Sequence, residues 1–195
     1  WGKKFENKYA DLVDGEIKPG KILFGGSGLG QLCKIFSFLN KGSHSSFQES
    51  LALLLQVKEP HEILHEKTAE GRMILKKIKG GEKKYMSLLN DALNTQKEGN
   101  LLVFSYATAG TSFSADLSNE LIYKVPATLI IVAREKDDMM VMSLRSDIFP
   151  VRTILQKALK EVRGYGGGHI KACGAGVAKE DFNRFLEIIK HEVNG

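Results

Sequence analysis

Gly166-Gly167-Gly168-His169-Ile170-Lys171-Ala172-Cys173-Gly174 is the stretch whose reading decides the fold of this 195-residue chain. Three consecutive glycines remove Cβ atoms and admit positive φ. Residues 166–168 therefore read as a loop whose backbone N–H groups can converge on an anion. His169 adds a hydrogen-bond donor and Lys171 a positive charge. The small residues that follow predict a short strand over Ala172–Val177, onto which a second backbone or a ligand can close. A plain flexible turn with a satisfied histidine fits the same spacing as well.

Working outward, Pro150–Val162 predicts an amphipathic helix with Val151, Ile154, Leu155, Ala158 and Leu159 inward. Before it, Met139–Ser146 predicts a strand ending Ser143-Leu144-Arg145-Ser146. An arginine at a strand end, beside a glycine loop, suits a bidentate grip on phosphate. The blander expectation for Arg145 is a surface pair with Asp147. Lys136-Asp137-Asp138 reads as a tight turn back to an apolar strand, Ala127–Ala133. Leu101–Tyr106 predicts a further strand, and Ser114 opens a helix. A closing helix carries Phe182, Phe185, Ile188 and Ile189 on one face. Strand and helix alternate from residue 99 to 195, which predicts an α/β sandwich.

The section before residue 99 reads as helical. Gly25–Gly30 predicts a loop, with Leu32, Ile35, Phe36 and Leu39 after it at helical spacing. Ser46 and Glu49 fit a capping box. Residues 60–98 predict a long connector helix that starts at Pro60 and is interrupted at Gly80-Gly81. The expected division is thus 1–59, a helical section; 60–98, the connector; and 99–195, the α/β domain.

Composition narrows the classes. Hydrophobic residues make 43% of the chain and charged residues 26%, which excludes a disordered or collagen-like chain. No apolar run approaches the roughly 18 residues that span a bilayer, so no membrane partner is expected. Two distant cysteines, Cys33 and Cys173, suit reduced thiols in the cytoplasm. The net charge is +5, and residues 145–171 carry six basic side chains against two acidic ones. That local excess sits beside the glycine run and favours a polyanionic partner. The chain begins at Trp1 with no charged leader before an apolar core, and is expected to be a fragment of a longer protein.

Other strings weigh less. His61-Glu62-Ile63-Leu64-His65 matches the zinc-peptidase pattern H-E-x-x-H. Thr68 and Gly71 stand where its extended form requires glycine and histidine. Gly25–Gly30 lacks the Lys-Ser/Thr of a P-loop, because Gln31 and Leu32 follow. Lys76, Lys77, Lys79, Lys83 and Lys84 fit either a nucleic-acid backbone or a solvated helix face.

The order of the pieces resembles a known family. A strand ending Ser143-Leu144-Arg145-Ser146, then an amphipathic helix, then Gly166 through Gly174, resembles the DHH-associated C-terminal domain (DHHA1) of the DHH phosphoesterases. That group includes RecJ single-strand exonucleases, oligoribonucleases and cyclic-dinucleotide phosphodiesterases. Residues 1–98 resemble the tail of a DHH catalytic domain with its connecting helix, as in archaeal RecJ-like proteins. The resemblance implies a DHHA1-type mixed-sheet α/β domain over 99–195, in which Arg145, Ser146, Gly166, Gly167, Gly168, His169 and Lys171 form the substrate- and phosphate-binding set. It implies Mn2+ or Mg2+ ions in a DHH domain, and single-stranded nucleic acid or a short oligonucleotide as substrate. The Asp-His-His string and the acidic metal motifs are absent from these 195 residues. The expectation is a chain that binds substrate and by itself does not cut. The alternative is a non-catalytic RecJ-like scaffold in a GINS replication complex.

Overall fold

A computed structural model describes residues 4, 7–13, 18–107 and 110–195. Contacts divide the chain into two units, residues 1–84 and 85–195.

The first unit is helical: α1 (Pro19–Phe24), α2 (Gly28–Leu39), α3 (His44–Leu54), α4 (Pro60–Leu64) and the first part of α5 (Ala69–Leu93). Leu32, Ile35, Leu39, Ile63, Ile74 and Ile78 form its apolar interior. Each fully buried side chain of this size contributes about 1.5–3 kcal/mol. Three expectations change here. The Gly25–Gly30 stretch is only partly a loop, because Ser27 caps α2 by accepting from the Gly30 N–H at 3.0 Å. The α3 cap is Ser43, which accepts from the Ser46 N–H, so the helix starts earlier than Ser46. The predicted 60–98 connector is broken not at Gly80-Gly81, which lie inside α5, but between α4 and α5, and its helix ends at Leu93. Buried Ile74 and Ile78 before the pair, and Tyr85, Leu89 and Ala92 after it, keep one apolar face in phase. Their burial outweighs the roughly 1 kcal/mol that each glycine costs.

The second unit is a five-stranded sheet with β1 (Leu101–Tyr106), α6 (Ser114–Lys124), β2 (Leu129–Lys136), β3 (Met139–Ser146), α7 (Val151–Ala158), β4 (Gly164–His169), β5 (Ala172–Ala178) and α8 (Phe182–Asn194). The spatial order is β1-β2-β3-β5-β4. Only β1 and β2 run parallel, joined through α6; the other neighbours are antiparallel. This is the α/β architecture that the alternation predicted, with the mixed sheet that the resemblance implied. Leu129, Leu144, Leu155, Phe185 and Ile189 are fully buried in the core beneath α7 and α8. On the opposite face α6 packs against β2 and β3. There Tyr85 donates to the buried Glu120 carboxylate at 2.7 Å.

The glycine stretch is the main correction. Gly164–His169 is not a loop but the edge strand β4, paired along its length with β5. Glycine is a weak strand former, but two things override that preference here. The ladder to β5 satisfies its backbone, and the missing side chains let α7 approach. A Cβ on Gly166 would stand 3.1 Å from Leu155 Cδ2, and one on Gly164 would stand 3.2 Å from Leu159 Cδ2. The helix itself ends at Ala158, short of the predicted Val162.

Candidate nucleic-acid interface

Strand pairing sets the site. Arg145 on β3 and His169 on β4 are both registered on Ala172 of β5. Laterally paired residues project to the same face of a sheet, so arginine and histidine end one cross-strand row, about 10 Å apart at the backbone. The next row on that face is Ser143, Gly174 and Gly167, and the one after is Val141, Gly176 and Tyr165. The middle row is nearly bare. A Cβ on Gly167 would meet nothing within 4 Å, and one on Gly174 only the Met142 carbonyl at 3.8 Å. The result is a shallow trough with a backbone floor, Arg145 and His169 along one side and Tyr165 on the other.

Arg145 is held from behind. Its Nε donates to Asn119 Oδ1 at 2.8 Å, and Nη1 donates to the carbonyls of Leu144 and Cys173 at 2.9 and 3.1 Å. Partial burial pulls its pKa below the ordinary arginine value. Asp147 does not neutralise it; that carboxylate accepts from the Ala127 N–H instead. Of the five N–H donors of a guanidinium, the two on Nη2 stay open among the described residues. The grip on offer is therefore narrower than a side-on fork: one nitrogen, already oriented, with both hydrogens outward. His169 is exposed, and its ring has no hydrogen-bond partner among the described residues.

The remaining predicted residues divide. Gly167 belongs to the trough. Gly166 faces α7, on the other side of the sheet. Gly168 is paired with Cys173, whose side chain belongs to the core under α7 and α8. It has φ +145°, and its Cβ would stand 2.9 Å from Cys173 Cα, so glycine is required there by conformation. Ser146 is buried on the α7 side, where its hydroxyl accepts from the N–H groups of Ile148 and Phe149 and shapes the turn into the helix. It is not brought to the trough. Lys171 lies in the two-residue turn between β4 and β5, and its carbonyl accepts from the Ser146 N–H at 3.1 Å. The Cys173 thiol donates to the His169 carbonyl at 3.3 Å, and burial raises its pKa.

Sequence reasoning alone misses Tyr165 and Asn119 as parts of this surface, and names Gly174 only among the small residues on which a backbone or a ligand can close. Reading 164–169 as a strand would have separated Tyr165, Gly167 and His169 from Gly166 and Gly168 by alternation. Nothing in the sequence marks Asn119.

The zinc-peptidase string does not assemble. α4 is a single five-residue helix, and His65 has left it at φ −113°. The Nε2 of His61 is occupied by Asp11 Oδ2 at 2.7 Å, which lowers the Asp11 pKa. Among the described residues no group of three or more His, Cys, Asp or Glu side chains could hold a metal ion. No helix among them is long and apolar enough to cross a membrane.

The DHHA1 domain family matches residues 99–195. No curated protein sequence matches the chain. Among solved structures, the pGpG-specific phosphodiesterase PggH from Vibrio cholerae is similar at TM-score 0.61 and 14% identity, covering 98% of this chain and 68% of that one. RecJ from Thermus thermophilus, in complex with Mg2+, is similar at TM-score 0.59 and 13% identity, covering 96% of this chain and 28% of that one. CDC45 from Entamoeba histolytica is similar at TM-score 0.52 and 11% identity, covering 87% of this chain and 38% of that one. At these identities the likeness is one of fold.

Proposed function

We propose, from the DHHA1 domain that residues 99–195 form, that the chain is the C-terminal, substrate-binding portion of a RecJ-like, metal-dependent DHH phosphodiesterase or exonuclease acting on single-stranded nucleic acid. The observation that carries this reading is the row Arg145–Ala172–His169 beside a backbone floor, with no carboxylate paired to the arginine among the described residues. A phosphodiester meets an oriented guanidinium and an imidazole there. Its chain can lie against Gly174 and Gly167 without a side chain in the way.

The described residues do not fit a metal centre, so no hydrolytic step is assigned to them. Manganese or magnesium would be held by a DHH catalytic domain of the whole protein. The part of this chain is to bind and orient. Cytoplasmic residence agrees with two free thiols, Cys33 and Cys173.

The test is fluorescence anisotropy with a 5′-phosphorylated single-stranded oligonucleotide at low salt. Arg145→Ala and His169→Ala should each weaken binding by about 1.5–3 kcal/mol, the worth of a charge-assisted hydrogen bond. Unchanged affinity in both would remove the proposal.

A second reading is a non-catalytic scaffold in a GINS replication complex, and the fold shared with CDC45 favours it. Co-purification with GINS, together with no salt-dependent binding of single strands, would select it.

A further inference from the structure

We propose that Tyr165 is a base-stacking platform, which gives the trough a second nucleotide position next to the phosphate held by Arg145 and His169; this rests on the single-strand reading above. Tyr165 stands opposite Gly176 on the open face. Its ring lies across that glycine: a Cβ there would stand 2.7 Å from Cζ and 2.8 Å from the hydroxyl oxygen. One ring face is thus set against backbone. The side chain is nevertheless 64% exposed, which leaves the other face to solvent. The hydroxyl has no hydrogen-bond partner among the described residues, so the ring is held by contact alone.

Four residues along the strand separate the Tyr165 row from the Arg145–His169 row, about 13 Å. That exceeds the reach from a phosphate to its own base. A base on Tyr165 therefore belongs to the neighbouring nucleotide, and the linking backbone crosses the bare floor at Gly174 and Gly167. Arg134 lies in the same cross-strand row, Arg134–Val141–Gly176–Tyr165. It stands three strands from Tyr165, and its buried Nε has no hydrogen-bond partner among the described residues. Stacking needs only a π-face, so the subsite accepts any base and reads length rather than sequence.

Three probes test this by calorimetry on the 195-residue chain: a 5′-mononucleotide, a 5′-phosphorylated dinucleotide, and that dinucleotide with an abasic second residue. The full dinucleotide should bind about 5- to 100-fold tighter than the abasic one. Tyr165→Leu still covers Gly176 but has no π-face, and should erase that ratio. Tyr165→Phe should keep it. Melting temperatures of both variants separate the ratio from any effect on folding. Equal affinity for the full and abasic dinucleotides, with the mononucleotide still bound through Arg145, overturns the stacking platform and leaves the phosphate grip standing. No binding of any probe overturns both.

Discussion

The hydroxyl of Tyr85 donates to the Glu120 carboxylate across 2.7 Å, with both side chains buried. Lys124 Nζ lies 3.6 Å from the other carboxylate oxygen. Tyr85→Phe removes a buried hydrogen bond to a charged group, so a loss of about 1–3 kcal/mol is expected in urea unfolding. Burial first, and the neighbouring carboxylate second, push the Tyr85 pKa above its ordinary value of 10.0. The folded state therefore holds the phenolic proton longer than the unfolded chain does. This contribution is full below pH 10 and declines as pH rises further. Alkaline unfolding monitored by circular dichroism should be shallower above that pH in Tyr85→Phe than in wild type.

The floor of the trough can be altered without disturbing its frame. Gly167→Ala and Gly174→Ala place methyl groups in open space. Both variants should melt within a few degrees of wild type yet bind single strands more weakly. Gly168→Ala is the contrast, because its φ of +145° and the nearby β5 backbone leave no place for a Cβ. About 1–3 kcal/mol of stability should go with it.

Arg134 has a buried Nε that nothing among the described residues satisfies. Arg134→Met removes that cost, and stability should hold or rise by up to about 1 kcal/mol. Affinity for a single-stranded oligonucleotide should fall, and the slope of log K against log salt should become shallower by about 0.7. A variant that is more stable and binds worse would mark Arg134 as kept for its ligand.

Gly80 and Gly81 sit inside α5 with nothing near their missing Cβ atoms. Replacing either by alanine should raise stability by about 0.5–1 kcal/mol in thermal or urea unfolding. A loss instead would mean that the helix needs the freedom of glycine at that point.

At the start of β4, Arg163 grips Asp181 through Nε at 2.8 Å and Nη2 at 3.0 Å, and its backbone N–H adds a third bond at 2.9 Å. These bonds depress the Asp181 pKa below its ordinary 3.8, the side-chain pair contributing most. The stabilisation is complete above that value and disappears as pH falls through the folded pKa. Wild type and Asp181→Asn should differ in melting temperature at pH 7 and converge in acid.

Much of the architecture was legible in the chain. The β2–β3 hairpin announced itself because Ala127–Ala133 is apolar and Lys136-Asp137-Asp138 is turn-forming. The closing helix did so through Phe182, Phe185, Ile188 and Ile189 at helical spacing. The glycine strand was not legible, because its β conformation comes from pairing with β5 and from the approach of α7, neither of which is local. The same non-locality hid half of the candidate surface. Arg145 and His169 could be named from their strings, but Asn119 enters only because α6 packs over β3. Ser146 showed the opposite error. It adjoins Arg145 in sequence, and strand alternation sends it through the sheet to the other side.

Among the described residues β4 is bonded to one neighbour only, so its outer row of amides and carbonyls is left for whatever extended chain arrives. Four of its six residues are glycine, and it carries no proline, lysine or acidic side chain to fence off such company. The openness that lets a ligand settle beside this margin also exposes it to adhesion by a stray strand, its own kind included.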